Sequence, residues 1–292
     1  MSALDSVLFV GGTHGNELTG VRFVEQWPLL ASRLERANIE IDALMANPLA
    51  VERSVRFVDF DLNRQFSLMG PQPDNAENSN EHNITGALKQ QLSSLTGSQP
   101  DLIIDIHNTT SAMGATLILV DDDKFNQQLA RYVAKTFPKC NILLENEKPY
   151  AEHPYLCTLG KRGIMIEMGA QPQGVCRADI FEDSLGLLDV IMDFCALWNA
   201  QSVPDLAPCN TFQFIENIGF PLSDNGLVKG VVHTNLQDND FLPLEPGQAI
   251  FSLFDGTEVV WQGEQTVYPH FINEAAYQKT DVAFAIAKRI TW

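Results

Sequence analysis

The sequence predicts an α/β protein, with a mainly parallel or mixed central sheet flanked by helices and a smaller β-rich domain at the C-terminus. Three observations carry this. From residue 6 to about residue 200, short apolar runs alternate with amphipathic stretches of helical period. The runs are too uniformly apolar for half-exposed strands and suit strands covered on both faces. Beyond "QSVPDLAPC", residues 201–209, helical stretches give way to short extended runs punctuated by glycine and proline. These changes divide the chain into an α/β domain, 1–203, and a β-rich domain, 204–292.

The elements follow in order. "SVLFVGG" reads as a buried strand ending in glycines. "LTGVRFVEQWPLLASRL" has helical spacing and restarts at Pro28, because proline lacks an amide hydrogen and clashes with the preceding turn. "IEIDALMANP" is a second strand, closed by Asn47-Pro48. "GPQPDNAENSNEHNIT", from Gly70, is a polar surface loop that runs into a helix through about Leu95. "PDLIIDIHNTT" is the clearest strand, being almost wholly apolar from Leu102 to Ile106. "ATLILVDD" and "NILLE" are further apolar runs, with the amphipathic "DDKFNQQLARYVAKTF" between them. "GIMIEMG" is another buried strand, and "DSLGLLDVIMDFCALWNA" a strongly amphipathic helix. In the C-terminal part "TFQFIENIGFP", "LVKGVVHTN" and "QAIFSLFDGTEVVW" read as short strands, with Asp-Gly in "FDGTE" suited to a hairpin turn.

A chain of 292 residues, 45% of them apolar, has room for one large domain with a smaller one. It carries 19 basic and 37 acidic residues, a net charge of -18, which argues against nucleic acid or an anionic membrane surface as partner. "MSALDSVLFVGG" lacks the basic and long apolar regions of a signal peptide, and no run approaches the roughly 18 apolar residues of a membrane span. A cytoplasmic location is therefore expected. The 5 cysteines, Cys140, Cys157, Cys176, Cys195 and Cys209, are scattered without a C-x-x-C pair. That pattern disfavours a disulfide framework and a cysteine zinc site. The oligomeric state stays open, a homo-oligomer included.

Chemistry concentrates in a few places. "VGGTHGNELTG" sets His14 and Glu17 three residues apart, between glycines, at the carboxyl end of the first strand, where open α/β sheets bind ligands. An i, i+3 pair entering a helix faces one point, and imidazole nitrogen and carboxylate oxygen are both zinc ligands. On its own this pattern is equally that of a capped turn. It has neither the Lys-Ser/Thr of a phosphate loop nor the spacing of a dinucleotide fingerprint. His107 ends the strand "LIIDIH" and supplies a third donor; two histidines and a glutamate leave one coordination position open, as in catalytic zinc sites. Asp105 shares a strand face with His107 and is placed to orient an imidazole. Glu167, in the apolar "GIMIEMG", is either a catalytic base or the partner of an arginine. Arg56, Asn63 and Arg64, in "VRFVDFDLNRQF", suit carboxylate and amide recognition, or pair with Asp59 and Asp61. His82, His153, His233 and His270 lack partners at ligand spacing and are read as surface or structural residues.

The blocks "GGTHGNELTG", "DFDLNR", "DIHNTTSAMGATLIL", "IEMGAQPQGVCRADI", "NLQDNDFLPLEPG" and "VYPHFINEAAYQK" resemble the succinylglutamate desuccinylase and aspartoacylase family, in order, from about residue 7 to residue 280. The resemblance implies a zinc-carboxypeptidase-like fold and one zinc ion per subunit, on His14, Glu17 and His107. It implies Glu167 as general base and proton shuttle, in contact with substrate. Asn63 and Arg64 correspond to substrate-binding residues, Arg56 to an arginine at the scissile carbonyl, and Tyr277 to a tyrosine reaching in from the C-terminal domain. The implied reaction is deacylation of N-acyl-L-aspartate, N-acetylaspartate above all, to aspartate and a carboxylate. The alternatives are deacylation of aromatic N-acetyl amino acids or N-succinylglutamate, a zinc peptidase, or a zinc-binding protein without activity. One segment departs from the animal members, where a tyrosine and an arginine ahead of the base hold substrate carboxylates. In "EHPYLCTLGKRGIMIE" the ungapped register puts His153 and Cys157 there, with Tyr155, Lys161 or Arg162 as substitutes if the loop shifts.

Overall fold

A computed structural model describes residues 3–67, 79–92 and 99–292. The N-terminal part contributes strands β1 (Ser6–Gly11), β2 (Glu40–Met45), β3 (Leu102–Asn108), β4 (Ala115–Leu119), β5 (Cys140–Leu144) and β6 (Gly163–Met168). Its helices are α1 (Leu18–Glu25), α2 (Trp27–Leu34), α3 (Pro48–Glu52), α4 (Asn80–Gln91), α5 (Lys124–Thr136) and α6 (Ala178–Asn199). The C-terminal part adds β7 (Asn210–Gly219), β8 (Gly230–Val232), β9 (Ala249–Leu253), β10 (Glu258–Val260), β11 (Tyr268–His270) and β12 (Val282–Thr291).

A 9-stranded sheet runs in the order β11-β12-β7-β5-β4-β6-β3-β1-β2. β2, β1, β3 and β6 are mutually parallel, and β4 turns against β6, so the sheet is mixed. β7, β12 and β11 extend this sheet: β7 pairs in parallel with β5 through Leu143↔Phe212, and β12 returns antiparallel to it. β8, β9 and β10 form a separate 3-stranded antiparallel sheet, with the turn expected at "FDGTE" joining its last two strands. No helix among the described residues is long and apolar enough to cross a membrane.

The period of two explains how both faces are buried. Val7, Phe9, Leu102, Ile104, Ile106, Ile164 and Ile166 point to a core shared with α1, α2, α5 and α6. Leu8, Val10, Ile103, Ile118 and Met165 point to a second core that includes Leu88 of α4, Leu156, Phe241 and Phe271. Asp105, His107 and Glu167 share strand parity with Ile103 and Met165, and so belong to this second face. The chain breaks between α1 and α2 at Gln26, with Pro28 in the first turn of α2. α6 starts earlier than its amphipathic core suggests, at Ala178 rather than near Asp183. Of the polar stretch from Gly70, only Ser79 onward lies in the described residues; Ser79 caps α4, and the expected end near Leu95 lies outside them.

Candidate active site

Two strand ends and one loop build the site. After β1 the backbone turns at Gly12, which adopts a positive φ of 67° that L side chains disfavour. At Gly15 an added Cβ would meet the backbone of Ala50 at 2.1 Å, so only glycine lets the loop lie against α3. His14 and Glu17 leave this loop just before α1, and His107 lies near the end of β3. The donor atoms of His14, Glu17 and His107 lie within 4.8 Å of one another, and all three residues are buried.

The geometry within this triad could hold a cation. Glu17 Oε1 is 2.7 Å from His14 Nδ1, and Glu17 Oε2 is 2.9 Å from His107 Nδ1. His14 Nδ1 has no aligned hydrogen-bond partner, so a buried lone pair faces a carboxylate across contact distance. His14, Glu17 and His107 would each offer one atom to a metal ion here. The far nitrogens are held by acids: His14 Nε2 by Asp61 Oδ1 at 2.9 Å, His107 Nε2 beside Asp105 Oδ2 at 2.9 Å. The second is a close charge contact rather than an aligned hydrogen bond. Thr13 donates its hydroxyl to Asp105 Oδ1 at 2.8 Å, fixing the carboxylate. Carboxylate–imidazole pairs of this kind orient metal-binding histidines and raise their basicity. Burial opposes charge on Glu17, but His14 and His107 hold its carboxyl well below the usual range.

Around the triad stand the remaining candidates. Glu167 is the register partner of His107 across β3 and β6, is buried, and has an unpartnered Oε1. Burial first, then the nearby Glu17 charge, pushes its carboxyl well above the usual range. Arg56 reaches Glu17 Oε1 at 2.9 Å and Asp61 Oδ2 at 3.0 Å, so it pairs with Asp61 and touches the triad at once. Asn63 is buried with both ends engaged: its Oδ1 accepts from the Leu156 amide at 2.8 Å, and its Nδ2 lies 3.4 Å from His107 Nε2. Arg64 donates to the Asn63 carbonyl at 2.9 Å and stacks over the Tyr155 ring, 5.5 Å from its centroid. Tyr277 enters from a 3-10 turn, Ala275–Thr280, whose N-cap Glu274 accepts bonds from the amides of Thr110 and Ala276. A cavity lined by His14, Glu17, Arg64, His107, Glu167 and Tyr277 opens into a wider groove of about 890 Å³.

All eight candidates therefore converge, from sequence positions 14 to 277. The segment that departs from the animal members resolves differently from its ungapped register. His153 and Cys157 are fully buried and line neither cavity, because residues 150–152 and 156–159 coil into two 3-10 turns. Among the substitutes, Tyr155 lines the cavity, while Lys161 pairs with Asp101 at 2.8 Å and Arg162 lies 3.6 Å from Asp123. Sequence reasoning missed Asp61 as a partner of His14, and missed Glu145 and Glu274 in the cavity wall. Glu145 had a usable signal: like Glu167, it is an acid at the end of an apolar run.

Comparison with known proteins gives the family. Residues 3–195 match the succinylglutamate desuccinylase/aspartoacylase catalytic domain, and residues 207–289 match the AstE/AspA barrel-sandwich hybrid domain. An N-acyl-aromatic-L-amino acid amidohydrolase (carboxylate-forming) of Xenopus tropicalis is 39% identical, over 98% of this chain and 94% of its own. An aspartoacylase of the same organism is 37% identical, over 100% of this chain and 94% of its own. The crystal structure of murine aminoacylase 3 superposes with a TM-score of 0.88 at 35% identity, covering 100% of this chain and 97% of that one. The chain belongs to the succinylglutamate desuccinylase/aspartoacylase family.

Proposed function

We propose that the protein is a zinc-dependent deacylase of N-acyl amino acids, with one zinc ion held by His14, Glu17 and His107. The observation that carries this is the buried triad with its unpartnered nitrogen beside an unpartnered Glu167, in a cavity that also holds two arginines. The ion, when bound, supplies Lewis-acid polarisation and acidifies water toward a pKa of about 7. Asp61 holds the far nitrogen of His14 and Asp105 stands beside that of His107, so both Nδ1 atoms would be left to hold the ion. Glu167 takes a proton from the attacking water at its free Oε1 as the oxygen adds to the acyl carbon. It returns that proton to the amine nitrogen as the C–N bond breaks, leaving a carboxylate and a free amino acid. Arg56 stabilises charge on the carbonyl oxygen, an effect typically worth about 3 kcal/mol per good donor. Arg64 and Tyr277 hold the amino acid's α-carboxylate, and Asn63 fixes His107 against the wall that carries Tyr155. Residues 204–292 act as a second domain that contributes Tyr277 to the entrance.

N-acyl-L-aspartate and N-acyl aromatic amino acids are the two substrate classes within this reading. One observation favours the second: around Arg64 the wall offers Tyr155, Phe271, Met165 and Ile118, and the cavity's other arginine, Arg56, is already paired with Glu17 and Asp61. The test is amine release from N-acetyl-L-aspartate, N-acetyl aromatic amino acids and N-succinylglutamate by zinc-loaded wild type and Glu167→Gln. The variant is expected to lose roughly 100-fold or more in kcat, in line with general acid–base contributions. Near-full activity of Glu167→Gln refutes the assigned base, and an inert wild type refutes the deacylase.

A further inference from the structure

Glu145 follows β5 and places its carboxylate in the wall shared by the inner cavity and the entrance groove. It is 9% exposed. Tyr155 donates its hydroxyl to Glu145 Oε2 at 2.7 Å, and the same ring carries the stacked Arg64 guanidinium on its face. No salt bridge to Glu145 is formed among the described residues: Arg64 and Lys148 act on it only through space, Arg162 lies by Asp123, and Lys161 and Arg56 are committed to other acids. A buried carboxylate without a paired cation costs free energy that the fold does not require. It stands one ring away from the arginine assigned to the substrate's α-carboxylate.

The position has a consequence for the side chain that follows that carboxylate. A second carboxylate finds no uncommitted second arginine there, because Arg56 is paired with Glu17 and Asp61; it meets Glu145, a like charge in a poorly solvated wall. A neutral ring meets Tyr155, Phe271, Met165 and Ile118, and Glu145 accepts a hydrogen bond from any donor it bears. We propose that Glu145 is a specificity-determining residue of this cavity, turning away N-acyl amino acids with an acidic side chain and admitting those with a neutral, chiefly aromatic, one. This rests on the deacylase reading above.

The discrimination carries its own pH signature. Burial pushes the Glu145 carboxyl up to about 7; the Tyr155 hydrogen bond, Arg64 and Lys148 hold it down, and Glu147 adds to the rise. Tyr277 faces the same wall. Below about 7 the group is neutral and tolerates a second carboxylate; above it the group is charged and rejects one.

The experiment measures kcat/KM of the zinc-loaded enzyme for N-acetyl-L-aspartate and N-acetyl-L-phenylalanine, in wild type and Glu145→Gln, from about pH 6 to about pH 8. In the ratio of the two values, titrations of free-enzyme catalytic groups cancel. The aspartate-to-phenylalanine ratio is expected to rise at least about tenfold in Glu145→Gln, since like-charge juxtaposition costs several kcal/mol. In wild type the ratio is expected to fall as pH rises, and in the variant to stay flat. The wild-type profile stands even where the variant folds poorly. Turnover of phenylalanine with an unchanged ratio and a flat wild-type profile overturns the role of Glu145 alone. Hydrolysis of neither substrate by wild type overturns the deacylase reading and this inference with it.

Discussion

Glu81 holds the loop of residues 58–60 from behind, and Glu81→Gln tests that support. Its side chain is fully buried at the start of α4. Oε1 accepts from the Val58 amide at 2.8 Å, Asn47 Nδ2 at 2.9 Å and Asn80 Nδ2 at 3.1 Å. Oε2 accepts from the amides of Asp59 at 3.0 Å and Phe60 at 3.2 Å. Glutamine keeps the shape but replaces one acceptor oxygen with an NH2 group, and either orientation aims that donor at backbone amides. Two donors then lose their acceptor at roughly 1–3 kcal/mol each, partly relieved by water at the exposed Asp59. A loss of about 2–4 kcal/mol follows, readable in a urea unfolding midpoint. The same loop ends in Asp61, which holds His14 Nε2, so zinc affinity should fall with stability. The pH dependence has a fixed sign. Burial raises the Glu81 carboxyl, but its five donors win and hold it below the usual value. Its contribution is therefore present above the unfolded-state pKa and lost as pH falls through the folded one. Glu81→Gln should lack that acid-side loss. A variant with wild-type midpoint, acid sensitivity and zinc affinity refutes the reasoning.

Two further substitutions probe the triad from other sides. Asp105→Asn keeps the Thr13 contact but withdraws the charge beside His107 Nε2, and should weaken zinc binding roughly 10- to 100-fold in competition with a chromogenic chelator; unchanged affinity would mean that Asp105 does not tune His107. Gly15→Ala forces a Cβ to 2.1 Å from the Ala50 backbone, and should cost about 1–3 kcal/mol in urea unfolding as the 50–56 segment with Arg56 shifts; an unshifted midpoint would show that the loop has slack.

The fold was legible where burial on two faces leaves an apolar run, as in "LIIDIHN" and "GIMIEMG". The triad was legible for a related reason. His14 and His107 stand at the carboxyl ends of adjacent parallel strands, so two sequence-distant ends become neighbours in space. Direction in the sheet was less legible. Nothing in "ATLIL" marks it as the strand that runs against β6, and nothing in "TFQFIENIG" marks it as an extension of the central sheet beside β5. Tyr277 depends on that topology, since β11, β12 and Glu274 together carry its turn to the cavity; periodicity alone gave no reason to choose it.

The 150–159 segment shows the limit of counting positions. An ungapped count assumes that equal spacing gives equal direction, which holds along a strand and fails through two successive 3-10 turns. Coiling turns Cys157 into the core and leaves Tyr155 in the wall. None of His153, Cys157, Lys161 and Arg162 therefore brings a cation into this wall, which carries Tyr155 with its hydroxyl on Glu145. His14 and Glu17 come from the loop between β1 and α1, and His107 and Glu167 from β3 and β6, so none of them depends on the path of that segment.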